Sequence, residues 1–191
     1  MPRSVGVVAI QGDFEKHMAA LRRCAGEKLP IRRLRTAEDL AGVDRAIIPG
    51  GESTTVGLLL RRFGLGDALV QAGAKGMPIW GTCMGMILLA KDIVGYPDQY
   101  KLGLLDISVE RNAFGAQVHS FEAQIPVSLF ERPLTAVFIR APVAARLGPG
   151  VEPIAEFEGH VVGVRQRNLL ATSFHPELTN DTRFHEWFLG M

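Results

Sequence analysis

Cys83 stands at the centre of a five-residue pattern that is typical of a catalytic nucleophile. The pattern is Gly-x-Cys-x-Gly, from Gly81 to Gly85, and it lies between an apolar segment that ends at Trp80 and a second apolar segment, residues 86–90. A sharp turn from a strand into a helix has this form, because the glycines let the two elements pass closely. The helix amino terminus would favour the thiolate. The alternative is a structural cysteine in a glycine-rich turn.

A cysteine nucleophile needs a base, and the chain contains five histidines: His17, His119, His160, His175 and His185. Only His175 ends an apolar segment, residues 169–175, and Pro176 and Glu177 follow it. A base at a strand end would meet Cys83 at the carboxyl edge of a parallel sheet, and Glu177, two residues on in extended chain, would face the same side. We therefore predict a Cys83–His175–Glu177 triad in which Glu177 sets the imidazole tautomer. We expect His17 at the surface or rim of its helix.

Acyl transfer also needs N–H donors for the negative charge that develops on the attacked carbonyl oxygen. In a turn of this kind the residue after the nucleophile, Met84, supplies one donor. We expect the second from Gly50 or Gly51, although a pair of glycines after a strand also fits a plain turn. Because glycine adopts many backbone conformations, a peptide flip here could remove a donor until a partner protein docks.

The order of apolar segments predicts the elements that bring these residues together. The first half alternates strands with helices, which is typical of a parallel sheet covered on both faces. We predict strands at 4–11, 31–35, 43–49 and 78–82, and helices at 14–27, 37–42, 54–63, 67–75 and from Cys83 to about residue 94. In the second half we predict strands at 105–112, 117–127, 135–141 and three within 152–175, and a helix at 181–191. Both the glycine loop and Cys83 would lie at carboxyl ends of strands, where such sheets bind ligands.

Composition narrows the function classes. A chain of 191 residues fits one domain, and we expect residues 1–191 to form it. A net charge of +1 gives no basis for binding nucleic acid or a membrane surface, and no apolar run reaches the roughly 20 residues of a membrane span. Two cysteines form no disulfide framework, which favours the cytoplasm. No zinc-type spacing or phosphate-binding glycine pattern occurs, so we expect no metal and no cofactor.

At these residues the chain resembles the class I glutamine amidotransferases, whose Cys-His-Glu triad sits on Gly-x-Cys-x-Gly and His-Pro-Glu. More narrowly, it is similar to the glutaminase subunits of pyridoxal 5′-phosphate synthases. The likeness runs nearly end to end, through residues 6–17, 48–54, 80–91, 109–122, 138–142 and 173–188. The segments Arg-Asn-Ala-Phe-Gly (111–115) and Phe-Ile-Arg-Ala-Pro (138–142) distinguish this subfamily from other amidotransferases.

The resemblance implies a fold and an activity. The fold is a three-layer α/β/α sandwich of the flavodoxin-like type, with a mainly parallel central sheet and antiparallel additions in the second half. The activity is hydrolysis of L-glutamine to L-glutamate and ammonia through a thioester on Cys83. The ammonia would pass to a separate synthase subunit that makes pyridoxal 5′-phosphate, the active form of vitamin B6.

The resemblance also implies the substrate contacts: Gly51, Glu52, Ser53, Arg111, Ile139 and Arg140. The chain departs from the family pattern at Met84, where a small residue is usual, and at Ala116, where arginine is frequent. If Met84 contributes only its N–H, the chemistry is unaffected and only the shape of the pocket changes. Neither departure affects the triad.

Other functions stay open at this point. The chain could be the glutaminase subunit of another synthase, such as that of histidine biosynthesis, although residues 111–115 speak against this. It could also be a different cysteine hydrolase, or a non-catalytic module that retains the fold, although an intact triad speaks against the latter. The two arginines, Arg111 and Arg140, either bind the carboxylate of an amino acid, pair with Glu110, Glu122 or Glu156, or face a partner.

Overall fold

A computed structural model describes residues 4–26, 28–114 and 120–191. Positions Ala116 and His119, and the first residues of the strand predicted at 117–127, lie outside the described residues. The helices are α1 (Phe14–Ala25), α2 (Ser53–Arg62), α3 (Leu65–Ala74), α4 (Met84–Leu89) and α5 (Arg183–Gly190), with short 3-10 helices at Glu38–Leu40 and Pro176–Leu178. None of the helices in this part of the chain is long and apolar enough to cross a membrane.

Twelve strands occur in the described ranges. They are β1 (Val5–Val8), β2 (Ile31–Leu34), β3 (Arg45–Ile48), β4 (Ile79–Thr82), β5 (Ala90–Ile93), β6 (Leu105–Glu110), β7 (Ser120–Ile125), β8 (Leu134–Ile139), β9 (Val143–Leu147), β10 (Glu152–Phe157), β11 (His160–Gln166) and β12 (Leu169–Thr172). The main sheet has the order β2-β1-β3-β4-β12-β11-β9-β6-β5, and β10 pairs with β11 outside that path. Strands β7 and β8 form a separate antiparallel hairpin.

The mainly parallel sheet with antiparallel additions is confirmed. Strands β2, β1, β3, β4 and β12 pair in parallel, whereas β11, β9 and β6 continue the sheet through antiparallel pairs. One apolar core packs α2, α3 and α4 against one face, around residues such as Leu60 and Ile48. The other packs α1, α5 and the β7–β8 hairpin against the opposite face, around Trp80, Phe138 and Phe188. The three-layer arrangement follows from these two cores.

Three elements differ from the sequence prediction: α4 is shorter, and β5 and β9 are additional strands. The helix after Cys83 ends at Leu89 rather than near residue 94, because Ala90 is extended (ψ 149°) and begins β5, which pairs with β6. Residues 84–89 are all buried, so no change of periodicity marks the end of the helix. Strand β9 was not predicted; Val143–Leu147 pairs with both β6 and β11, and these long-range partners make it a strand.

The glycines of the turn around Cys83 are required for close backbone contact. A Cβ atom on Gly85 would lie 2.1 Å from the carbonyl oxygen of Ile48, and one on Gly81 would lie 2.4 Å from the carbonyl carbon of Gly85. Helix α4 therefore packs directly on the backbones of β3 and β4, which confirms the steric role expected for these two positions.

We expect Gly85→Ala to lower the free energy of unfolding by about 1–3 kcal/mol, because the methyl group would press on a backbone carbonyl that no rotamer can move aside. At this chain length each kcal/mol corresponds to about 2–4 °C in Tm. Gly190→Ala is the matched control: Gly190 is exposed at the end of α5, with no atom within 4 Å of an added Cβ. Equal Tm values for the two variants, measured by calorimetry, would contradict the close packing described here.

Candidate active site

A cleft of about 340 Å³ lies at the carboxyl ends of the parallel strands. Its walls include Cys83, Met84 and His175, and all six residues for which substrate contact is implied: Gly51, Glu52, Ser53, Arg111, Ile139 and Arg140. Glu177 is not part of the wall and lies buried behind His175. The structure thus brings together nearly all of the sequence-predicted site in one cavity, with the third triad member as its support.

Cys83 occupies the turn between β4 and α4 in a backbone conformation that is rare for a side-chain-bearing residue, with φ 49° and ψ −104°. Its N–H donates to the carbonyl of Thr172 at 2.7 Å, which ties the turn to the end of β12. Its Sγ lies 3.8 Å from the carbonyl oxygen of Ile139. A strained nucleophile held by a sharp strand-to-helix turn is a recurrent feature of acyl-transfer sites.

His175 and Glu177 are joined by a short hydrogen bond, 2.7 Å from imidazole Nδ1 to carboxylate Oε1. The expectation that the chain between them is extended is wrong, because Pro176–Leu178 forms a 3-10 turn. The turn nevertheless folds the carboxylate back onto the imidazole, and the N–H of His175 donates to the carbonyl of Val137 in β8 at 2.9 Å. The hydrogen bond at Nδ1 therefore fixes the imidazole, and the hydrogen bond of the His175 N–H fixes the backbone that carries it.

The charge state of His175 depends on its two neighbours. Burial acts to lower its pKa, but the interactions with Cys83 and Glu177 outweigh burial and raise the pKa to about 10. Burial raises the pKa of the Glu177 carboxyl, and the hydrogen bond and charge of His175 oppose that shift. Imidazole Nε2 interacts electrostatically with the Cys83 thiol but makes no hydrogen bond of normal geometry within the described residues. That nitrogen is available for proton transfer.

Gly50 and Gly51 have different roles. A Cβ on Gly50 would lie 2.3 Å from Cε1 of His175, so the absence of a side chain makes room for the imidazole. The carbonyl of Gly50 faces Gly12, where an added Cβ would approach it to 1.7 Å. The N–H of Gly51, on the other edge of the same planar peptide, points away from Gly12. Neither this N–H nor that of Met84 has a hydrogen-bond partner in the described ranges.

Glu52 begins α2 and caps it. Its carboxylate accepts from the N–H groups of Thr54 and Thr55, at 3.0 and 2.7 Å. Although burial opposes the shift, these hydrogen bonds lower the pKa of Glu52 to about 2, so that the group stays anionic. Ser53 is buried and accepts from the Gln99 amide at 2.9 Å. The rim of the cleft therefore carries a fixed negative charge next to an ordered hydroxyl group.

The two arginines differ in their surroundings. Arg111 donates to Gln99 Oε1 at 2.9 Å, lies 4.0 Å from the Glu52 carboxylate and stacks over the Tyr96 ring. Glu52 is its acidic neighbour, rather than the Glu110, Glu122 or Glu156 considered from the sequence. Arg140 is exposed at the mouth of the cleft, and no side-chain partner for it occurs in the described part of the chain.

Backbone strain is concentrated at this cleft. Five described residues other than glycine have positive φ, and three of them line the cleft: Cys83, Asn112 and Arg140. The other two, Glu158 and Arg167, lie in the turns that join β10 to β11 and β11 to β12. Strain at Asn112 and Arg140, outside the hairpin turns, directs these residues toward the cavity.

Sequence reasoning missed four residues of the cleft wall: Gln11, Asp13, Ile87 and Asn112. The signal for Gln11 and Asp13 was present, because they follow β1 at the same edge of the sheet as the glycine loop and Cys83. The signal for Asn112 was weaker, since its position depends on how the chain leaves β6. Ile87 belongs to an apolar run in which no position stands out.

The expectation that His17 lies at the surface or rim is wrong. Both His17 and His185 are completely buried and pack edge-on against Trp80, with their own rings tilted against each other, because α1 and α5 pack side by side on the same face of the sheet. His160 is exposed and packs edge-on against Phe114, and it is not among the residues that line the cleft. No pattern in the sequence around the histidines distinguishes the buried His17 and His185 from the exposed His160.

One group of possible metal ligands occurs within the described residues. Ligand atoms of Asp13, His175 and Glu177 lie within 4.8 Å of one another. The short His175–Glu177 hydrogen bond occupies two of these atoms, so the grouping is accounted for by the triad geometry.

Comparison with known proteins places the chain in a family. The model of the SNO glutamine amidotransferase family matches residues 7–191. The chain belongs to this family. A pyridoxal 5′-phosphate synthase subunit PdxT from Herpetosiphon aurantiacus is 53% identical over 193 residues, covering 98% of this chain and all of the relative. A protein of the same description from Methanothrix thermoacetophila is 49% identical over 187 residues, 98% of each chain.

Solved structures support the fold independently. A crystal structure of a glutamine amidotransferase superposes with a TM-score of 0.91 at 50% identity, covering 97% of each chain. The structure of PurLQS from Thermotoga maritima gives a TM-score of 0.70 at 16% identity, with 100% of this chain and 99% of the other covered. The second likeness shows the shared fold alone.

The Glu177 geometry predicts the behaviour of Glu177→Gln. The neutral amide removes the negative charge that raises the pKa of His175, so that pKa falls and the imidazolium is lost at a lower pH. If the triad acts as predicted, turnover with glutamine should fall by about 10²- to 10⁴-fold. The alkaline limb of the pH–rate profile should also shift to lower pH. A wild-type turnover and an unshifted limb would remove Glu177 from the triad.

Proposed function

We propose that this chain is the glutaminase subunit of a pyridoxal 5′-phosphate synthase. It hydrolyses L-glutamine to L-glutamate and ammonia, and it delivers the ammonia to a synthase subunit that forms pyridoxal 5′-phosphate. The proposal is carried by one observation: the family match extends over the residues that line a single cleft around Cys83 and His175. A glutaminase subunit of histidine biosynthesis, or a different cysteine hydrolase, would share the triad but not the near-complete match to PdxT proteins.

The first half of the reaction forms a thioester. The Cys83 thiolate attacks the side-chain carbonyl carbon of glutamine, and the N–H groups of Gly51 and Met84 bind the resulting oxyanion. The protonated His175 then donates its proton to the departing nitrogen, and the C–N bond breaks to release ammonia. The raised pKa of His175 suits this step, because the ring carries a proton at neutral pH.

The second half hydrolyses the thioester. His175, now neutral, removes a proton from a water molecule as that water attacks the acyl carbon. A second tetrahedral intermediate collapses, glutamate leaves and the Cys83 thiolate returns beside the imidazolium. Through both halves Glu177 holds the ring by its Nδ1–H and stabilises its positive charge.

The charged groups of glutamine match the cleft. Glu52 is anionic and suited to the α-ammonium group, with the Ser53 hydroxyl beside it. Arg111 and Arg140 are suited to the α-carboxylate; Arg111 lies 4.0 Å from the Glu52 carboxylate and is only partly paired. The Ile139 backbone completes the wall next to Cys83. These contacts hold the amide of the substrate over the sulfur.

The chemistry of ammonia gives a physical reason for a partner subunit, in addition to the family match. Ammonia released into bulk water at neutral pH is protonated and loses its nucleophilicity, so direct transfer to the synthase preserves its reactivity. We place the protein in the cytoplasm, where a reducing environment keeps Cys83 and Cys24 as free thiols. We also propose that residues 1–191 form one glutaminase domain, since the two apolar cores share a single sheet.

The proposal predicts that Cys83→Ala abolishes ammonia release from glutamine while the protein remains folded. Mixed with its synthase subunit, this variant should fail to support pyridoxal 5′-phosphate formation from glutamine but should leave formation from ammonium salts intact. A glutamine-analogue electrophile should label Cys83 and not Cys24, whose pKa burial raises. Glutamine-dependent synthesis by Cys83→Ala would contradict the proposal, and ammonia release without any support of synthesis would indicate another partner.

Arg111→Gln tests substrate recognition. Loss of one hydrogen bond to a charged group corresponds to a factor of about 10 to 100, so KM for glutamine should rise by that factor with kcat within about threefold. Arg146→Gln is the charge-matched control, because Arg146 pairs with Asp106 on the sheet away from the cleft. Equal KM values in the two variants would show that Arg111 does not contact the substrate.

A further inference from the structure

A row of buried polar groups continues behind the triad. The Oε2 atom of Glu177, the one not bonded to His175, lies 3.3 Å from Nε2 of His17. That nitrogen is also 3.1 Å from the Thr82 hydroxyl, and Nδ1 of His17 is 3.0 Å from Nε2 of His185. His17 comes from α1 and His185 from α5, and neither lines the cleft. A second layer of imidazoles therefore faces the carboxylate from the side opposite His175.

The hydrogen positions in this row follow from one constraint. Nε2 of His17 makes its hydrogen bond with the Thr82 hydroxyl, and Oε2 of Glu177, 3.3 Å away, has no hydrogen bond of normal geometry in the described residues. Because a bare nitrogen lone pair would be repelled by the carboxylate, this nitrogen carries the hydrogen. Neutral His17 then presents a bare Nδ1, which accepts from the Nε2–H of His185. The Nδ1 atom of His185 has no partner in the described part of the chain. The hydrogens thus alternate from His185 to His17, whose Nε2–H lies beside Oε2 of Glu177, while Oε1 of the same carboxylate binds His175.

Both histidines stay neutral because they are buried. Burial lowers the pKa of His17 well below its usual value, and the nearby His185 and His175 lower it further. Burial, with a contribution from Arg23, lowers the pKa of His185 to about 3. The other charged neighbour of Glu177 is Asp13, which raises the pKa of that carboxyl. A neutral N–H donor at Oε2 opposes this effect without placing a competing positive charge beside the imidazolium of His175.

We infer that His17 is a positioning residue of the triad: its Nε2–H, 3.3 Å from Oε2 of Glu177, stabilises that carboxylate electrostatically, and His185 fixes the tautomer that makes this possible. The inference rests on the proposed function, because it acts through Glu177 and His175. A purely structural role competes with it, since the His17 ring also packs edge-on against Trp80, with centroids 5.4 Å apart. The two roles differ in whether the effect of His17 depends on Glu177.

The test compares His17→Leu, His17→Gln and Glu177→Gln, with the double variant His17→Leu/Glu177→Gln, in the full chain saturated with its synthase. Leucine removes the donor, whereas a glutamine amide can place an N–H near the position of Nε2. We expect His17→Leu to lower kcat by about 3- to 10-fold, the factor for one modest polar contact rather than a well-aligned hydrogen bond to a charge, with KM within about threefold. His17→Gln should recover most of that loss, and the exposed His160→Gln should behave as wild type.

The decisive readouts are the pH profile and the double variant. Without the donor, the pKa of Glu177 rises and its support of the imidazolium weakens, so the alkaline limb for His17→Leu should move to lower pH. A loss of folded protein would reduce the rate at every pH without moving that limb. In the Glu177→Gln background, adding His17→Leu should cost no more than about twofold, because the two changes remove parts of one unit.

Three results would overturn the inference. The first is an equal penalty for His17→Leu in both backgrounds with an unmoved limb, which would mean packing alone. The second is a wild-type rate for His17→Leu while Glu177→Gln is impaired, which would leave the triad standing without His17. The third is a wild-type rate for Glu177→Gln itself, which would remove the triad role under the proposed function as well.

His185→Phe provides a second route if His17→Leu does not fold. Phenylalanine keeps a ring against Trp80, where the His185 and Trp80 centroids are 5.0 Å apart, but cannot donate to His17. We expect a smaller loss of kcat than for the His17 variant and the same direction of shift in the alkaline limb. A wild-type rate and profile for His185→Phe would overturn its assigned part in setting the tautomer.

Discussion

The parallel pairing of β4 with β12 is the interaction on which the site depends. Its register sets Thr82 opposite Thr172, and the next N–H along β4, that of Cys83, donates to the Thr172 carbonyl. The nucleophile therefore begins its turn beside the strand that leads, three residues on, to His175. Because both strands lie inside the sheet, with neighbours on each side, this register cannot slip without moving both cores. The relative position of Cys83 and His175, the proposed catalytic pair, is thus a property of the sheet.

The buried polar groups around the triad are the main energetic liability of the fold. Glu177, His17 and His185 are removed from water, and each would be costly without hydrogen-bond partners. The structure offsets that cost by pairing them with one another, and with Thr82 and His175. The second oxygen of Glu177, Oε2, has no hydrogen bond of normal geometry in the described residues and lies 3.3 Å from Nε2 of His17, so two groups of helices and strands must pack correctly to place that donor beside it. This coupling links the assembly of α1 and α5 to the chemistry at Cys83.

The two glycines after β3, Gly50 and Gly51, meet a steric requirement and a chemical requirement at the same time. Gly50 has to lack a side chain because the His175 ring occupies that space, and its carbonyl is fixed against Gly12. The same peptide presents the N–H of Gly51 as an oxyanion donor in the proposed mechanism. A change in this loop would therefore alter both the base and the oxyanion site. A partner subunit that contacts the neighbouring residues could influence catalysis through this one peptide.

The local chemistry and most of the order of the elements can be predicted from the amino-acid sequence alone. Cys83 in its glycine turn, His175 and Glu177 near a strand end, and the glycines after β3 were all identifiable, because sharp turns and buried strands depend on neighbouring residues. The alternation of strands and helices likewise predicted the parallel half of the sheet. Only the tertiary structure decided that α4 stops at Leu89 and that β9 is a strand, since both depend on pairing with distant strands.

The same reason explains the buried histidines. In the sequence His17 lies on an amphipathic helix among charged residues, and nothing nearby shows that α5 will cover it. Its burial, its hydrogen bond to His185 and its approach to Glu177 arise only when α1 and α5 pack on one face of the sheet. Local patterns therefore identified the groups that line the cleft and that we propose meet the substrate. The two imidazoles behind them, His17 and His185, depend on contacts between residues far apart in the chain. The periodicity of apolar residues does not indicate such contacts.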